Sequence, residues 1–484
     1  MNEQQSLQTK SFDNQYFAEL FAQQLPVSLA LRQSNVQQRI EKLKKFQKEL
    51  LKRRSQFYNA FQSDFHKPNI EVELTELLTV IDEIRHAIQH LNEWMAPVKV
   101  ATTISTLGSS SHVQYQPKGR CLILGPWNYP LNTLLCPLVS AVAAGNTVII
   151  KPSEFVPAVN KVMIDLIEAV FNPNEVAVVT GDQHVATTLL ALPFNHIFFT
   201  GSPTIGKVVM RAAAENLSSI TLELGGKSPV IIDESANISD AASTIWWGKL
   251  INAGQSCIAP DYCFVHKNVY SAFIEKSKEI ITKRFGEQPE SRRTSQDLAR
   301  IISERHFNRI EDLINDAVDK GAKTVIGGTG DRAEHFIDPT ILTDLPADAT
   351  ILKEEIFGPV LPVLVYEHID EVIHYINQRD KPLAMYVWSR QQSQIEHILL
   401  NTSSGSVCVN DCMTQYAQNN LPFGGVNNSG LGNSHGFFGF KAFSHERAVL
   451  TGQIQLKRPF VVPPYNFVKL KAAQLLSTSL AKTS

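Results

Sequence analysis

The sequence predicts an α/β protein in which helices cover both faces of parallel sheets. From about residue 112, short runs rich in β-branched residues alternate with longer segments of helical periodicity. Each run ends in a turn marked by glycine or proline. Strands and helices that alternate at this spacing predict βαβ units and a doubly wound parallel sheet. A length of 484 residues corresponds to about three domains.

The individual elements follow from these patterns in chain order. Apolar positions at helical spacing predict helices within 36–64 and 71–95, and Pro97 ends the second. The strands of the first sheet are CLILG (121–125), NTVIIKPSE (146–154), EVAVVTG (175–181) and HIFFTGS (196–202), with helices between them at 135–145, 158–171 and 184–192. A second α/β section runs from TLELGGKSPVIID (221–233) to about residue 425, with a strand in PDYCFVH (260–266) and a helix from Val269 to Phe285. Because ligands bind such sheets beyond the carboxyl ends of the strands, the turn motifs there indicate the chemistry.

The composition describes an ordinary globular protein and gives no argument for nucleic acid or membrane binding. The chain is 43% hydrophobic and 19% charged, and 45 Lys and Arg balance 47 Asp and Glu to a net charge of -2. It has neither a secretory signal pattern nor an apolar run long enough for a membrane span. The six cysteines form no CxxC pair and the histidines no ligand cluster, which predicts reduced thiols, a cytoplasmic location and no metal site.

Three residues are candidates for covalent catalysis. Cys257, in NAGQSCIAPDY (252–262), fits either a small buried thiol or a nucleophile. Glu223 lies among apolar neighbours in LELGGKSP, which predicts a raised pKa suited to a general base; a turn cap is the alternative. Asn128, in GPWNYP (125–130), can donate to a developing oxyanion; rigid packing of the turn is the alternative.

Two further motifs suit a dinucleotide. In FTGSPTIGK (199–207), Gly201 allows close backbone approach and Ser202 can cap a helix whose N-terminus attracts a pyrophosphate. A plain strand-to-helix turn explains the same residues. In IIKPSE (149–154), Lys151 and Glu154 can bind ribose hydroxyls or can form a surface ion pair. The segment KEEIFGPVLPV (353–363) adds a carboxylate pair and an aromatic residue before a Gly-Pro turn.

Taken together and in order, these motifs resemble the aldehyde dehydrogenase superfamily over roughly residues 112 to 450. The matching segments are GPWNYP, KPSE, FTGS, LELGGKSP, GQSCIAPDY, EEIFGPV and LPFGGVNNSG (421–430). The short amino-terminal region, APDY after the cysteine and the tail HGFFGFKAFSHERAVL (435–450) are similar to the class III branch of fatty, aromatic and coniferyl aldehyde enzymes. One departure is Asn427, where the family pattern has glycine.

The resemblance implies a role for each motif residue. Cys257 is the nucleophile, Asn128 and the Cys257 backbone N–H hold the oxyanion, and Glu223 activates the water that releases a carboxylic acid. The cofactor is NAD, with NADP as an alternative. The implied cofactor contacts are Lys151 and Glu154 at the adenosine ribose, Gly201 and Ser202 at the pyrophosphate, Glu355 at the nicotinamide ribose and Phe357 beside the nicotinamide.

The resemblance also implies a domain plan and a homodimer. The plan has a Rossmann-type NAD(P)-binding domain, an α/β catalytic domain, a small β oligomerisation arm and a C-terminal tail. Their predicted bounds are 1–103 with 119–222, 223–439, 104–118 with 440–460, and 461–484, respectively. The tail fits packing on the dimer or contact with a membrane surface, but not an integral membrane segment.

The expected function is NAD(P)-dependent oxidation of medium- or long-chain aliphatic or aromatic aldehydes, including coniferyl-type ones. Tyr129 is assigned to the substrate pocket. Five aromatic residues fit either a pocket entrance or the core: Trp127, Tyr129, Trp246, Trp247 and Tyr416. The alternatives are a hydrolase with the same Cys–Glu pair, a CoA-acylating enzyme, which would not need Glu223, and a binding protein that kept the fold.

Overall fold

The computed structural model describes residues 14–453 and 462–482. Three parts of the predicted domain plan lie outside the described residues: 1–13 of the NAD(P)-binding domain, 454–460 of the arm, and 461, 483 and 484 of the tail.

The helices have the following bounds: α1 (Asn14–Leu31), α2 (Val36–Lys52), α3 (Arg54–Phe65), α4 (Asn69–Val72), α5 (Leu78–Trp94), α6 (Asn132–Ala144), α7 (Pro157–Val170), α8 (Gln183–Leu190), α9 (Pro203–Glu215), α10 (Ile238–Leu250), α11 (Tyr270–Phe285), α12 (Pro289–Arg293), α13 (Glu304–Asp319), α14 (Ile369–Asn377), α15 (Gln392–Asn401), α16 (Gly436–Ala442) and α17 (Phe467–Ala481).

The strands have the following bounds: β1 (Val98–Val100), β2 (Ser109–Pro117), β3 (Arg120–Leu124), β4 (Thr147–Lys151), β5 (Val176–Val178), β6 (His196–Gly201), β7 (Ser219–Leu224), β8 (Pro229–Ile232), β9 (Tyr262–His266), β10 (Lys323–Ile326), β11 (Gly330–Asp331), β12 (Phe336–Ile337), β13 (Thr340–Thr343), β14 (Val360–Tyr366), β15 (Ala384–Trp388), β16 (Ser406–Val409), β17 (Gly430–Leu431) and β18 (Ser444–Gly452).

The first sheet confirms the predicted alternation of strands and helices. Its order is β17-β7-β6-β3-β4-β5, and all neighbours from β7 to β5 are parallel. Every residue of β4 is buried, as expected for a strand covered by helices on both faces. The chain passes from β3 to β4 and β5 on one side, then returns to β6 on the other side of β3. The point between β3 and β6 is therefore a topological switch, where such sheets bind ligands.

The second sheet has the order β10-β13-β14-β9-β8-β15-β16, parallel except for the edge strand β10. The chain leaves the first sheet at β7 and enters the second at β8 through the turn at 225–228. This turn connects the carboxyl edge of one sheet to the amino edge of the other.

The amino-terminal helical region differs from the sequence prediction in its continuity. The region 36–64 forms two helices, α2 and α3, because the chain bends at Arg53, whose φ is -98° and ψ is 8°. The region 71–95 contains a π-helical turn, Glu73–Leu77, between α4 and α5. An extra residue in one turn does not change the apolar pattern enough to be read from sequence, and such turns are frequent at functional sites.

The described chain divides into two compact units. The first contains both α/β sheets and, among the described residues, spans 14–94 and 117–444. The second spans the described residues 95–116, 445–453 and 462–482, and it has the sheet β1-β2-β18 and α17. The predicted arm overlaps this second unit, while the division into an NAD(P)-binding and a catalytic domain stays a prediction. Within 14–453 and 462–482, no helix is long and apolar enough to cross a membrane.

Candidate active site

A cavity of about 440 Å³ lies in the first unit and brings together eight of the ten site residues predicted from sequence. These are Asn128, Tyr129, Gly201, Ser202, Glu223, Cys257, Glu355 and Phe357. The remaining two, Lys151 and Glu154, lie at the carboxyl end of β4, where the Lys151 Nζ is 3.2 Å from the Glu154 Oε2.

Strand topology explains why residues so distant in sequence meet. Asn128, Gly201 and Glu223 lie after or at the ends of β3, β6 and β7, which are parallel, so all three lie at one edge of the first sheet. Cys257 precedes β9, and the segment of Glu355 and Phe357 precedes β14, its parallel neighbour. The turn from β7 to β8 connects these two edges, so the cavity takes its lining from both sheets.

Cys257 is partly buried, and its surroundings oppose ionisation. Burial, together with the nearby carboxyl groups of Glu355 and Glu223, raises the pKa of the Cys257 thiol to about 12. The preceding turn has left-handed backbone at Asn252 and Ala253, with φ of 53° and 52°. In this environment the sulfur is a protonated thiol at neutral pH, so a nucleophilic role requires that the proton leave as the sulfur attacks.

Asn128 is held against the cysteine segment by amide contacts. Its Nδ2 donates to the Gln255 carbonyl oxygen at 3.0 Å, two residues before the cysteine. The backbone carbonyl oxygen of Asn128 accepts from the Asn252 Nδ2 at 2.8 Å. Gln255 is fixed in turn, because its Nε2 donates to the Arg300 carbonyl oxygen at 3.0 Å. The carboxamide is therefore pre-oriented in the cavity that also contains the thiol.

Glu223 is a buried carboxyl group with one free oxygen. Burial raises its pKa to about 8, and the hydrogen bond from the Ser434 hydroxyl to Oε1, at 3.0 Å, acts in the opposite direction. Oε2 is buried without a hydrogen-bond partner. A carboxyl group of this kind exchanges a proton near neutral pH, which is the property that a general base needs. The predicted raised pKa is confirmed.

The residues of the cavity also suit a nicotinamide dinucleotide. Glu355 is partly buried, desolvation raises its pKa to about 8, and its Oε1 has no hydrogen-bond partner. A Cβ at Gly225 would overlap the Glu355 carboxylate, so the close approach requires glycine there. Ser202 caps α9 by accepting from the Ile205 backbone N–H at 3.4 Å. The N-terminus of α9 thus faces the cavity, as a pyrophosphate site requires.

Four of the five aromatic candidates line the cavity, and the fifth belongs to the core. Trp127, Tyr129, Trp247 and Tyr416 contribute to the lining. Trp246 is fully buried in the hydrophobic core of the second sheet. The Trp127 ring lies edge-on to Phe357, with 5.5 Å between the ring centroids. A place in the lining does not exclude a role in the core, since the Tyr129 side chain is itself buried.

Asn427, which departs from the family pattern, has a φ of 57°. This is left-handed backbone, where glycine costs nothing and asparagine is the best tolerated of the other residues. The loop therefore keeps a glycine-like conformation despite the substitution.

Several residues that support the site could not be identified from sequence. Ser434 reaches Glu223 from 211 positions away. The Gln255 backbone carbonyl accepts from the Asn128 Nδ2, and the Asn252 Nδ2 donates to the Asn128 backbone carbonyl. Lys67 and Glu76 form a buried ion pair below the Asn128 segment. Their residue types are unremarkable in sequence, and only the tertiary structure brings them to the site.

The sequence matches the profile of the Aldehyde dehydrogenase family over residues 17–449. One relative is the 4,4'-diaponeurosporen-aldehyde dehydrogenase of Staphylococcus aureus, 39% identical over 427 residues, which cover 88% of this chain and 92% of that protein. Another is aldehyde dehydrogenase family 3 member B3 of Mus musculus, 38% identical over 412 residues, covering 85% and 84%.

A solved structure gives the same result for the fold. The substrate-bound state of Staphylococcus aureus AldH superposes with a TM-score of 0.90 and 37% identity. The alignment covers 95% of this chain and 99% of that chain.

Proposed function

The chain belongs to the aldehyde dehydrogenase family, in its class III-like branch, and from that premise we propose a role for each residue of the cavity. The protein is an oxidoreductase that oxidises aldehydes to carboxylic acids with a nicotinamide cofactor. The proposal concerns the residues that perform the reaction, the preferred cofactor and the class of aldehyde. The observation that carries it is that one cavity contains a thiol, a carboxamide and a titratable carboxyl group.

Cys257 is proposed as the nucleophile. Its sulfur bonds to the aldehyde carbon while the thiol proton passes to solvent, and the carbonyl oxygen becomes the oxyanion of a thiohemiacetal. The Asn128 Nδ2, held by its contacts to the cysteine segment, donates to this oxyanion together with the Cys257 backbone N–H. When bound, the oxidised nicotinamide cofactor supplies the hydride acceptor that the oxidation requires.

Glu223 is proposed as the base that completes the reaction. After oxidation, the acyl group remains on Cys257 as a thioester. The free Oε2 of Glu223 accepts a proton from water, whose oxygen attacks the thioester carbon and displaces the Cys257 sulfur. The products are a carboxylic acid and the Cys257 thiolate, which regains a proton from Glu223, so that both groups return to their starting forms. A titratable base in the cavity favours water over CoA as the acyl acceptor.

NAD is proposed as the preferred cofactor, with NADP as a weaker one. Lys151 and Glu154 are the proposed partners of the adenosine ribose, Gly201 and Ser202 of the pyrophosphate, Glu355 of the nicotinamide ribose, and Phe357 of the nicotinamide. A carboxylate at Glu154 accepts hydrogen bonds from two free hydroxyls but repels a phosphate at the same place. The Glu154 side chain is 45% exposed, so solvent weakens this repulsion.

The proposed substrates are medium- or long-chain aliphatic or aromatic aldehydes, including coniferyl-type ones. The cavity lining supports this class, because it offers apolar surface to the hydrocarbon part of an aldehyde larger than acetaldehyde. The residues that provide this surface are Leu74, Trp247, Met413 and Tyr416. The Staphylococcus aureus relative is named for 4,4'-diaponeurosporen-aldehyde. Tyr129 is proposed to line the part of the pocket next to Asn128.

A homodimer formed through the second unit, and a cytoplasmic location, are also proposed. The second unit has exposed apolar side chains on its short sheet and loops, including Leu107 and Leu450. All six cysteines are free thiols, as reducing conditions permit.

The test is reduction of NAD and, separately, of NADP by the purified protein with a panel of aliphatic and aromatic aldehydes, with and without CoA. We expect turnover without CoA that is faster with NAD and is lost in Cys257→Ala. Turnover that persists in this variant, while the variant still binds NAD, would contradict the assignment of Cys257. Ester cleavage without any nicotinamide as the sole activity would favour a hydrolase instead.

A further inference from the structure

A fully buried ion pair lies below the segment that contains Asn128. The Lys67 Nζ is 2.8 Å from the Glu76 Oε1, and neither side chain has exposed surface. Desolvation of two charges in such a place is costly, and replacement of a buried ion pair by well-packed apolar side chains is often neutral or stabilising. The pair therefore calls for an explanation other than stability.

The ion pair contacts one segment of the chain, the residues that directly follow Asn128. The Glu76 Oε2 accepts hydrogen bonds from the backbone N–H groups of Leu131, at 3.2 Å, and Asn132, at 3.0 Å. The Lys67 Nζ lies 4.1 Å from the centroid of the Tyr129 ring, within range of a cation–π contact. The pair thus contacts three of the four residues that directly follow Asn128.

The position of Glu76 depends on the irregular turn described above. Glu76 lies within the π-helical turn Glu73–Leu77, so its direction differs from that in a continuous α-helix. On the preceding turn, the Glu71 Oε2 accepts from the Asn252 backbone N–H at 2.8 Å, and Asn252 in turn donates to the Asn128 carbonyl oxygen. One helical segment therefore contacts both the Asn128 segment and the cysteine segment.

The start of α6 explains why a carboxylate is needed there. Leu131 and Asn132 begin this helix, whose first N–H groups have no partner within it, and Leu131 provides no side-chain cap. Glu76 satisfies two of these groups and brings a negative charge to the positive end of the helix dipole. Lys67 balances that charge in the absence of solvent. The Lys67–Glu76 pair thereby fixes the bend of the chain between Asn128 and α6.

We propose that the buried Lys67–Glu76 pair, presented by the π-helical turn, positions Asn128 for oxyanion binding and Tyr129 for the substrate pocket. Neither residue touches the reacting atoms, so both are positioning residues. The inference rests on the proposed role of Asn128. A single requirement, a fixed Asn128 carboxamide, explains the buried ion pair, the π-helical turn and the absence of a side-chain cap at the start of α6.

The test uses variants that separate stability from position. Lys67→Met/Glu76→Met replaces the pair by apolar side chains of similar length, and Glu76→Gln retains an acceptor oxygen without the charge. The matched control is Arg292→Met/Asp338→Met, which removes another buried ion pair, with 2.6 Å between the Arg292 Nε and the Asp338 Oδ1, that does not line the cavity. Asn128→Ala is the reference for loss of the oxyanion donor.

Two rates are compared in each variant that binds NAD. The first is kcat/KM for aldehyde oxidation, which needs the oxyanion donor. The second is alkylation of Cys257 by iodoacetamide, which forms no oxyanion. We expect the apolar double variant to lose aldehyde kcat/KM by about 100-fold, and Glu76→Gln by about tenfold, while alkylation stays within about threefold of the parent rate. The Arg292→Met/Asp338→Met control should keep both rates.

The outcomes discriminate between the inference and the proposed function. Parent-like aldehyde kcat/KM in the double variant, or in Glu76→Gln if the double variant fails to fold, would overturn the inference. A parallel loss of both rates would also overturn it, because a general loosening of the site explains that result. If Asn128→Ala itself oxidises aldehydes normally, the proposed role of Asn128 fails instead.

Discussion

At the scale of single residues, Glu223 shows how burial raises the pKa of a carboxyl group. The carboxyl group has apolar neighbours in the sequence, and this pattern already indicated a raised pKa. What the sequence could not indicate is the Ser434 hydroxyl, which donates to Oε1 from a loop 211 positions away. This hydrogen bond is stronger to the ionised carboxylate, so it opposes the effect of burial on the pKa.

Removal of that hydroxyl should therefore shift the pH dependence of thioester hydrolysis. Glu223 must be ionised to accept a proton from water, so the rate should increase as pH rises through its pKa of about 8. In Ser434→Ala the pKa of Glu223 rises further, and the midpoint of kcat against pH should move to higher pH with a similar plateau. Ser434→Thr retains a hydroxyl and serves as the control. A lower plateau with an unchanged midpoint would contradict this account.

Asn427 shows that one residue can depart from the family pattern without changing the local backbone conformation. Its departure from the family pattern left the geometry of that loop open, and the structure resolves the question with a φ of 57°. Because asparagine tolerates left-handed backbone, the sequence difference does not change the local fold.

At the scale of elements, the strands buried on both faces were the most predictable features. The apolar runs of β3, β4 and β6 leave few alternatives, and their turn motifs lie where the topology places ligands. The short strands β11, β12 and β17 could not be predicted, since two residues leave no periodicity to read. The π-helical turn at Glu73–Leu77 was invisible for a similar reason, and it directs one of the charges below Asn128.

Helix α9 offers a test at this scale. Ser202 caps its N-terminus at the cavity, and its replacement by alanine should cost about 1 kcal/mol of unfolding free energy. If this N-terminus binds the pyrophosphate, Ser202→Ala should also weaken NAD binding severalfold with little change in kcat. Denaturant unfolding and NAD titration measure the two effects. The control is Ser303→Ala, which removes the cap of α13 and should alter stability alone.

At the scale of the whole molecule, the cavity depends on the way one chain connects two sheets. Residues at the carboxyl edge of the first sheet meet segments that precede strands of the second, and the turn at 225–228 connects the two edges. The motif order in the sequence identified these residues, and the tertiary contacts of Gln255, Asn252 and Ser434 explain how they are held.

The proposed dimer is testable through that second unit. Leu107 and Leu450 are exposed by 54% and 58%, and a charge on each should prevent association through this surface. Light scattering on the parent protein should give twice the 53.9 kDa of the chain, and Leu107→Asp/Leu450→Asp should give the single-chain mass. Leu217→Asp changes a leucine of the first unit that is 93% exposed, and it should leave the mass unchanged. Equal masses for all three proteins would contradict the proposed interface.

The most direct test of the catalytic account is to trap the acyl group on the protein. In Glu223→Gln the attack and the oxidation remain available, but the base that activates water is removed. With aldehyde and NAD, we expect a burst of about one NADH per chain, slow later turnover, and an acyl mass on the peptide that contains Cys257. A burst without an acyl group on Cys257, or an acyl group on another of the six cysteines, would contradict the account.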